Sequence, residues 1–309
     1  MTHGPGGLDR AARIAALGFR YEEQPRERVA SCNLCRPRGR PVEVARRDRY
    51  GYPATTVVCR TCGLGYLSPR LTRPAYADFY AHTYRPLVSA YHGRRIDAET
   101  VQEAQRGYAG ELARFLEPLV GEVRSVLDVG GSTGVVGEAV GRCLGATVTV
   151  LDPSPRELAV ARDRGLATIA GFAEDLDPAG RTWDLVLLCQ TIDHLLDVAA
   201  TLEALRAVTA AGGRAFVDVL DVGFALVGQG SIEGVAKVDH PYALTPHTAR
   251  AFFTRAGFVP VAERLADDGH HGFVLAPDRP GTPDWDGLGR RAEVLLADIW
   301  ACRARRTGA

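Results

Sequence analysis

An α/β fold built on a mostly parallel sheet and fronted by a small metal-binding module is what this sequence predicts, on three observations. The apolar run Val126-Leu127-Asp128-Val129 opens into Gly130-Gly131-Ser132-Thr133-Gly134, and a second apolar run closes on Asp152, eighteen residues after Gly134. From there to Ala276 strand-like and helix-like segments alternate, the pattern of parallel strands joined by crossover helices. Ahead of both stand two Cys-x-x-Cys pairs, Cys32/Cys35 and Cys59/Cys62, with 23 residues between them.

Composition narrows the function classes. A chain of 309 residues with 46% hydrophobic and 24% charged residues can bury a large core and carry an appendage. The formal net charge is +0, so no global field draws it to nucleic acid or to an anionic membrane. No apolar run is long enough to cross a bilayer, and the first seven residues lack the pattern of a signal peptide. Seven cysteines, four of them paired at two-residue spacing, fit a cytoplasmic protein with a metal site better than a disulfide framework.

The elements follow in chain order. Residues 1–30 read as an N-terminal arm and 31–66 as a zinc-binding module. Within the module, 41–44 and 55–58 read as strands around a turn at Tyr50-Gly51-Tyr52-Pro53. Two-residue spacing lets both thiolates of a knuckle reach one tetrahedral ion, and four cysteines leave no open position for catalysis, so the zinc is structural. Residues 67–122 read as a helical linker or cap. It holds an aromatic stretch over 75–84 and an amphipathic helix with Val101, Ala104, Tyr108, Leu112, Phe115 and Leu119 on one face. Residues 123–280 form the main domain, with strands expected at 125–129, 147–151, 167–170, 185–189 and 214–219. Helices are expected at 134–143, 155–164, 198–209 and 245–256, the last opened by Thr245-Pro246 as N-cap and N1. Two closing strands, 258–265 and 271–276, precede a C-terminal helix over 281–309.

The glycine-rich turn after the first strand is a place for a ligand to meet backbone, and the acid ending the second strand can accept from ribose hydroxyls. Two common nucleotides fit poorly. A dinucleotide fingerprint needs glycines where Ser132 and Val135 stand, and a Walker loop needs a lysine, whereas Lys237 is the only lysine in the chain. Asp128, Gly130, Ser132 and Gly134 instead resemble motif I of the class I S-adenosylmethionine (SAM) methyltransferases, with Ser132 replacing the middle glycine. The run from Trp183 to Gln190 with Asp193-His194 looks like that family's fourth strand and following loop, and Ala211-Gly212-Gly213-Arg214 like the turn before the fifth. Cys59-Arg60-Thr61-Cys62-Gly63-Leu64, Leu67-Ser68-Pro69-Arg70, Phe79-Tyr80 and Tyr84-Arg85 resemble bacterial methyltransferases with an N-terminal zinc ribbon, which act on nucleotide sugars, glycans and secondary metabolites. The resemblance implies a Rossmann-like seven-stranded sheet with an antiparallel last strand, and SAM as cofactor.

It also implies site residues. Gly130, Ser132 and Gly134 would pass under the methionine part of SAM, and Asp128 would orient that loop or the ammonium group. Asp152 would hold the ribose. Gly171-Phe172-Ala173-Glu174-Asp175 matches the adenine-contacting segment, with Phe172 where an acid is frequent and Glu174 or Asp175 as acceptor. Gln190 would lie at the ligand end of the fourth strand, and Tyr80 and Tyr84 would cover the methionine end. Methyl transfer from a sulfonium needs chiefly an aligned nucleophile, and a hydroxyl or carbon-acid acceptor also needs a base, for which histidine is suited. His194 follows the fourth strand, and His240 lies in Lys237-Val238-Asp239-His240-Pro241-Tyr242, so His194, His240 and Tyr242 are the catalytic candidates. Lys237 is a candidate for an anionic substrate. His247, His270 and His271 are further histidines of the same half.

The partner expected is a small-molecule substrate, a sugar derivative or a secondary metabolite, with no nucleic acid and no membrane; a homodimer stays open. Two other readings survive. One is an RNA-base methyltransferase docking through the zinc ribbon, for which the cluster Arg36, Arg38, Arg40, Arg46, Arg47 and Arg49 is the only support. The other is a non-catalytic SAM-fold zinc protein.

Overall fold

The computed structural model describes residues 9–36, 39–176 and 180–307, with nothing said of the side chains of residues 98, 99, 104 and 307. The expectations for residues 1–8, for Arg38 and for the side chain of Ala104 therefore lie outside the described residues.

The N-terminal half is a set of short elements around a four-stranded sheet. In chain order it holds helix α1 (Arg10–Ala15), strands β1 (Arg26–Glu27), β2 (Val42–Ala45), β3 (Thr56–Val58), β4 (Gly65–Leu67) and β5 (Arg70–Leu71), then helix α2 (Arg73–Asp78). A π-helical turn, Phe79–Thr83, runs from α2 into α3 (Tyr84–His92). Such a turn rotates the side chains that follow it and is frequent at functional sites; here it carries Tyr80. Helix α4 (Ala98–Leu116) is started by a capping box in which the Asp97 carboxylate accepts from the Thr100 N–H while the Thr100 hydroxyl accepts from Asp97. Its apolar face, including Leu112, Ala113 and Leu116, is buried on the main sheet.

That sheet has seven strands. They are β6 (Ser125–Val129), β7 (Thr147–Asp152), β8 (Ala167–Ala170), β9 (Trp183–Leu188), β10 (Thr209–Leu220) and, after the two-residue strand β11 (Tyr242–Ala243), β12 (Phe258–Leu265) and β13 (His270–Pro277). Their spatial order is β12-β13-β10-β9-β6-β7-β8. Strands β6 to β10 are mutually parallel, and β13 runs antiparallel to both neighbours. Every residue of β6 after Ser125 is buried, as a central parallel strand covered on both faces requires. Helices α5 (Val135–Leu144), α6 (Pro155–Asp163), α7 (Val198–Val208) and α10 (Pro246–Ala256) are the crossovers. Thr245 and Thr248 form the capping box that starts α10 behind Pro246 at N1. The chain ends in α11 (Trp285–Thr307).

This is the Rossmann-like, seven-stranded sheet with an antiparallel strand that the sequence predicts. Two details differ. Strand β10 begins at Thr209 rather than Arg214, because Thr209 pairs with Trp183 before an irregularity that ends at Arg214. Between β10 and α10, where no helix is expected, α8 (Val222–Gln229) and α9 (Ile232–Val235) form, started by side-chain caps from Asp221 and Ser231.

The module does not stand apart. Tyr242 and Ala243, from the middle of the main domain, pair with Tyr66 and Gly65 as the edge strand of the four-stranded sheet, whose order is β11-β4-β3-β2. Asn33, inside the first cysteine knuckle, donates to the Asp197 carboxylate at 2.8 Å and accepts from the Ala199 N–H at 3.0 Å, so it holds the start of α7. One apolar core runs through both parts, from Leu34 and Leu64 to Val129, Leu188 and Val217.

Candidate active site

A cavity of about 390 Å³ opens at the carboxyl ends of β6, β7 and β9, where ligands lie in open α/β sheets. Gly130, Ser132, Asp152, Phe172, Ala173, Glu174 and Gln190 line one end, and Asp193, His194, Lys237, His240 and Leu220 line the other. Tyr80, Tyr84 and Arg85 lie along its wall.

The first end is made by turns after consecutive strands. Gly130 adopts φ +68°, and a Cβ there would stand 2.4 Å from the Thr191 methyl, so both conformation and space require glycine. Gly134 (φ +77°) is the N-cap of α5 and packs beside Leu166 and Val150; it does not line the cavity. Nor does Asp128, which is fully buried, accepts from the Gly137 N–H at 2.9 Å and fixes the start of α5. Burial pushes its pKa up to about 7. Asp128 thus supports the loop from behind, and Gly134, expected under the methionine part of SAM, caps α5. Asp152 accepts from the Ser132 N–H (2.9 Å) and the Ser154 N–H (2.8 Å), which ties the end of β7 to the glycine-rich turn. Burial raises its pKa to about 6, against the pull of those two donors. Ser132 itself takes φ +53° and donates through its hydroxyl to Glu157, while Arg85 reaches the same carboxylate at 3.3 Å. Phe172 lies under the Arg73 guanidinium, 4.7 Å from its ring centre. One oxygen of Glu174 accepts from the Leu196 and Asp197 N–H groups, leaving the other as acceptor.

The second end is assembled from distant segments. Asp193 stands 2.5 Å from His240 Nδ1, and Lys237 Nζ donates to His240 Nε2 at 3.1 Å. Tyr80 donates its hydroxyl proton to the Asp239 carbonyl (3.1 Å), so its oxygen is free to accept from His194 Nδ1 at 3.0 Å. In His194 the Nδ1 proton then has an acceptor and Nε2 carries the lone pair, whereas His240 Nε2 faces both Lys237 Nζ and, at 3.4 Å, the buried Asp239 carboxylate. The two rings are 4.4 Å apart, centre to centre. Burial, and next the charge of His240, lower the His194 pKa to about 4. Burial works to raise the Asp193 pKa, but His240 beside it outweighs that and holds the carboxyl below its ordinary range. Tyr84 packs edge-on to His194 at 6.1 Å. His270 also lines the cavity, whereas His247 and His271 do not.

Tyr242 departs from expectation. Its hydroxyl donates to the Leu196 carbonyl at 3.1 Å and meets Arg70, and it lies outside the main cavity because β11 turns it toward the module sheet. Asp193, Arg85 and Glu157 were missed as site residues. Nothing in sequence spacing ties Asp193 to His240, 47 positions on.

The four cysteines are buried and their sulfurs lie within 4.8 Å of one another. Cys32 and Cys62 are 3.5 Å apart and Cys35 and Cys59 3.6 Å. A tetrahedral ion with bonds of about 2.3 Å sets its sulfurs about 3.8 Å apart, so the arrangement fits a four-thiolate zinc. Among the described residues no helix is long and apolar enough to cross a membrane.

Comparison with known proteins agrees with this geometry. The sequence profile of a family described as "Methyltransferase domain" matches residues 101–263. Ubiquinone biosynthesis O-methyltransferase of Methylocella silvestris is 34% identical over 126 residues, 36% of this chain and 47% of that protein. The protein of the same name from Cereibacter sphaeroides is 32% identical over 168 residues, covering 50% and 68%. The chain spans about half the length of most of the curated relatives it matches. Among solved structures, TnmH superposes with a TM-score of 0.52 at 20% identity over 67% of this chain and 62% of that one, a likeness of fold.

Proposed function

Because the chain belongs to the methyltransferase-domain family, we propose that it transfers the methyl group of SAM to an oxygen of a small hydroxylated molecule, a sugar derivative or secondary metabolite, with His240 as the base. The observation that carries this reading is the Asp193–His240 pair, 2.5 Å apart, facing a cavity whose other end has the cofactor cradle. SAM supplies an activated methyl group when bound. Asp152 would hold its ribose, Phe172, Ala173 and Glu174 its adenine, and Gly130, Ser132, Gln190, Tyr80 and Tyr84 its methionine end.

The protein's own work is orientation and proton removal. Asp193 fixes the Nδ1–H tautomer of His240 and stabilises the imidazolium that forms when Nε2 takes the acceptor proton. Lys237, already bonded to Nε2, is placed to move onto the developing oxyanion. His194, held by Tyr80 and lowered toward pKa 4, stays neutral and offers its own Nε2 to orient the acceptor. An oxygen acceptor is favoured over carbon or nitrogen by the names of the relatives, which are O-methyltransferases. The four-cysteine cluster is read as a structural zinc site, closed to substrate.

The test uses methyl-labelled SAM. Incubated with metabolite extract, the protein is expected to yield a labelled, low-molecular-weight product that His240→Ala does not form. Label transferred to naked RNA, or calorimetry showing that neither SAM nor its demethylated product binds, would remove the proposal.

A further inference from the structure

We propose that the four-cysteine module is the device that positions the base, and that Asp48 is the positioning residue through which it acts. The proposal rests on His240 being the base of the preceding section.

The loop that carries Lys237, Asp239 and His240 receives most of its main-chain partners from the N-terminal half of the molecule, not from the sheet above which it sits. The Ala236 carbonyl accepts from the Arg49 N–H at 2.9 Å, and the Val238 N–H donates to Asp48 Oδ2 at 2.9 Å. The Val238 carbonyl accepts from the Tyr76 hydroxyl (3.0 Å) and the Asp239 carbonyl from Tyr80 (3.1 Å). Beyond His240, the Pro241 carbonyl accepts from the Leu67 N–H at 2.9 Å, and Tyr242 and Ala243 then join β4. Val238 is wholly buried among Tyr50, Tyr52, Tyr76 and Phe79.

Asp48 joins the two parts because a carboxylate accepts at both oxygens. Its Oδ1 takes the Tyr50 and Tyr52 N–H groups, which folds the turn between β2 and β3, and its Oδ2 is left for Val238. The cysteines stand one step further back. The knuckle Cys59–Cys62 is the connection between β3 and β4, and β4 holds β11. A metal clamping that knuckle therefore fixes the hairpin against which the base loop is laid.

Asp48→Asn separates the two duties. Its carbonyl keeps the turn, while its NH₂ is set against the Val238 N–H, donor to donor. In the full-length protein with the demethylated product of SAM bound, amide exchange over residues 236–243 is expected to speed up about tenfold or more. The amides of β6 keep their protection, SAM affinity by calorimetry stays within about twofold, and kcat falls with the acceptor isolated by labelling. Tyr76→Phe, which removes only the hydroxyl on the Val238 carbonyl, is expected to act in the same direction. Unchanged exchange over 236–243 in both variants, or an equal rise in β6, overturns this inference alone. A loosened loop with full turnover overturns this inference and leaves the base reading to the His240→Ala test.

Discussion

The two ends of the cavity are built in opposite ways. The end proposed for the cofactor is made largely by turns that directly follow three neighbouring strands, β6, β7 and β8, whose ties span at most 25 positions: Asp152 to Ser132 and Ser154, Ser132 to Glu157, with Arg73 and Arg85 added from the N-terminal half. The acceptor end brings together Tyr80, Asp193, His194, Lys237 and His240, and it is braced by Asp48 and Arg49 from a different sheet. A local construction tolerates change elsewhere in the molecule. A dispersed one fails when any of its supports is lost, and that difference can be measured.

The largest effect is expected from the cysteines. A four-thiolate zinc contributes on the order of 10 kcal/mol to the folding of the segment that holds it. Cys59→Ala should abolish stoichiometric metal and unfold the β3–β4 hairpin, seen as lost metal by elemental analysis and a lower melting temperature. Since Leu34 and Leu64 share a core with Val129 and Val217, part of that loss reaches the main sheet. A variant that keeps both its metal content and its melting temperature would show that the acceptor end does not depend on the module.

Next come the residues of the acceptor end itself. His240→Ala should lower kcat by about 10²–10⁴-fold, the range for a removed general base. Asp193→Asn should lower it by a similar order, because an amide no longer secures the Nδ1–H tautomer. In both, SAM affinity should stay within about twofold, since neither residue belongs to the cofactor end. A fall in SAM affinity as large as the fall in kcat would erase the distinction between the two ends.

How much of each end could be read from sequence follows from the same difference. The β6 turn, Asp152 and the Phe172 segment lie at fixed offsets from apolar runs, and the structure puts all three on one cavity. The parallel sheet is legible too, from the alternation of strands and helices, while the antiparallel last strand follows from the family resemblance and the strand order comes from the structure. At the other end His194, after the fourth strand, and His240, in the 237–242 loop, are legible as residue types, but their partners are not. Asp193 faces His240 across 47 positions and Asp48 bonds Val238 across 190, distances at which no periodicity operates. Tyr242 stands two positions after His240 in sequence, and pairing with β4 turns it away. The motif offers Gly134 as a ligand contact and Asp128 as a loop or ammonium partner, and the structure gives the first a helix cap and the second a hydrogen bond behind the loop.

At the cofactor end the expected losses are smaller and fall on binding. Asp152→Ala should weaken SAM by about 1–3 kcal/mol, the value of a buried acceptor pair with charge on one partner, measured by calorimetry. Turnover at saturating SAM should change far less. An unaltered affinity would mean that the ribose lies elsewhere.

The smallest effect is one of pH, and its sign is fixed by burial. The Asp152 carboxyl, ordinarily near 3.8, titrates at about 6. Above that value both of its oxygens accept, and two ribose hydroxyls have an anion to donate to. Below it a proton occupies one oxygen, and the carboxyl exchanges an acceptor for a donor. SAM affinity should therefore be level above pH 7 and fall as pH drops through about 6, by no more than tenfold per unit for a single site. Asp152→Asn should bind more weakly than the native protein at pH 7.5 and show a flat profile between pH 5 and 7.5. The His240 variants should retain the native profile, because their charge lies at the other end. A profile that flattens in His240→Ala but persists in Asp152→Asn would assign the titration to the acceptor end, and the cofactor end would lose its claim to act alone.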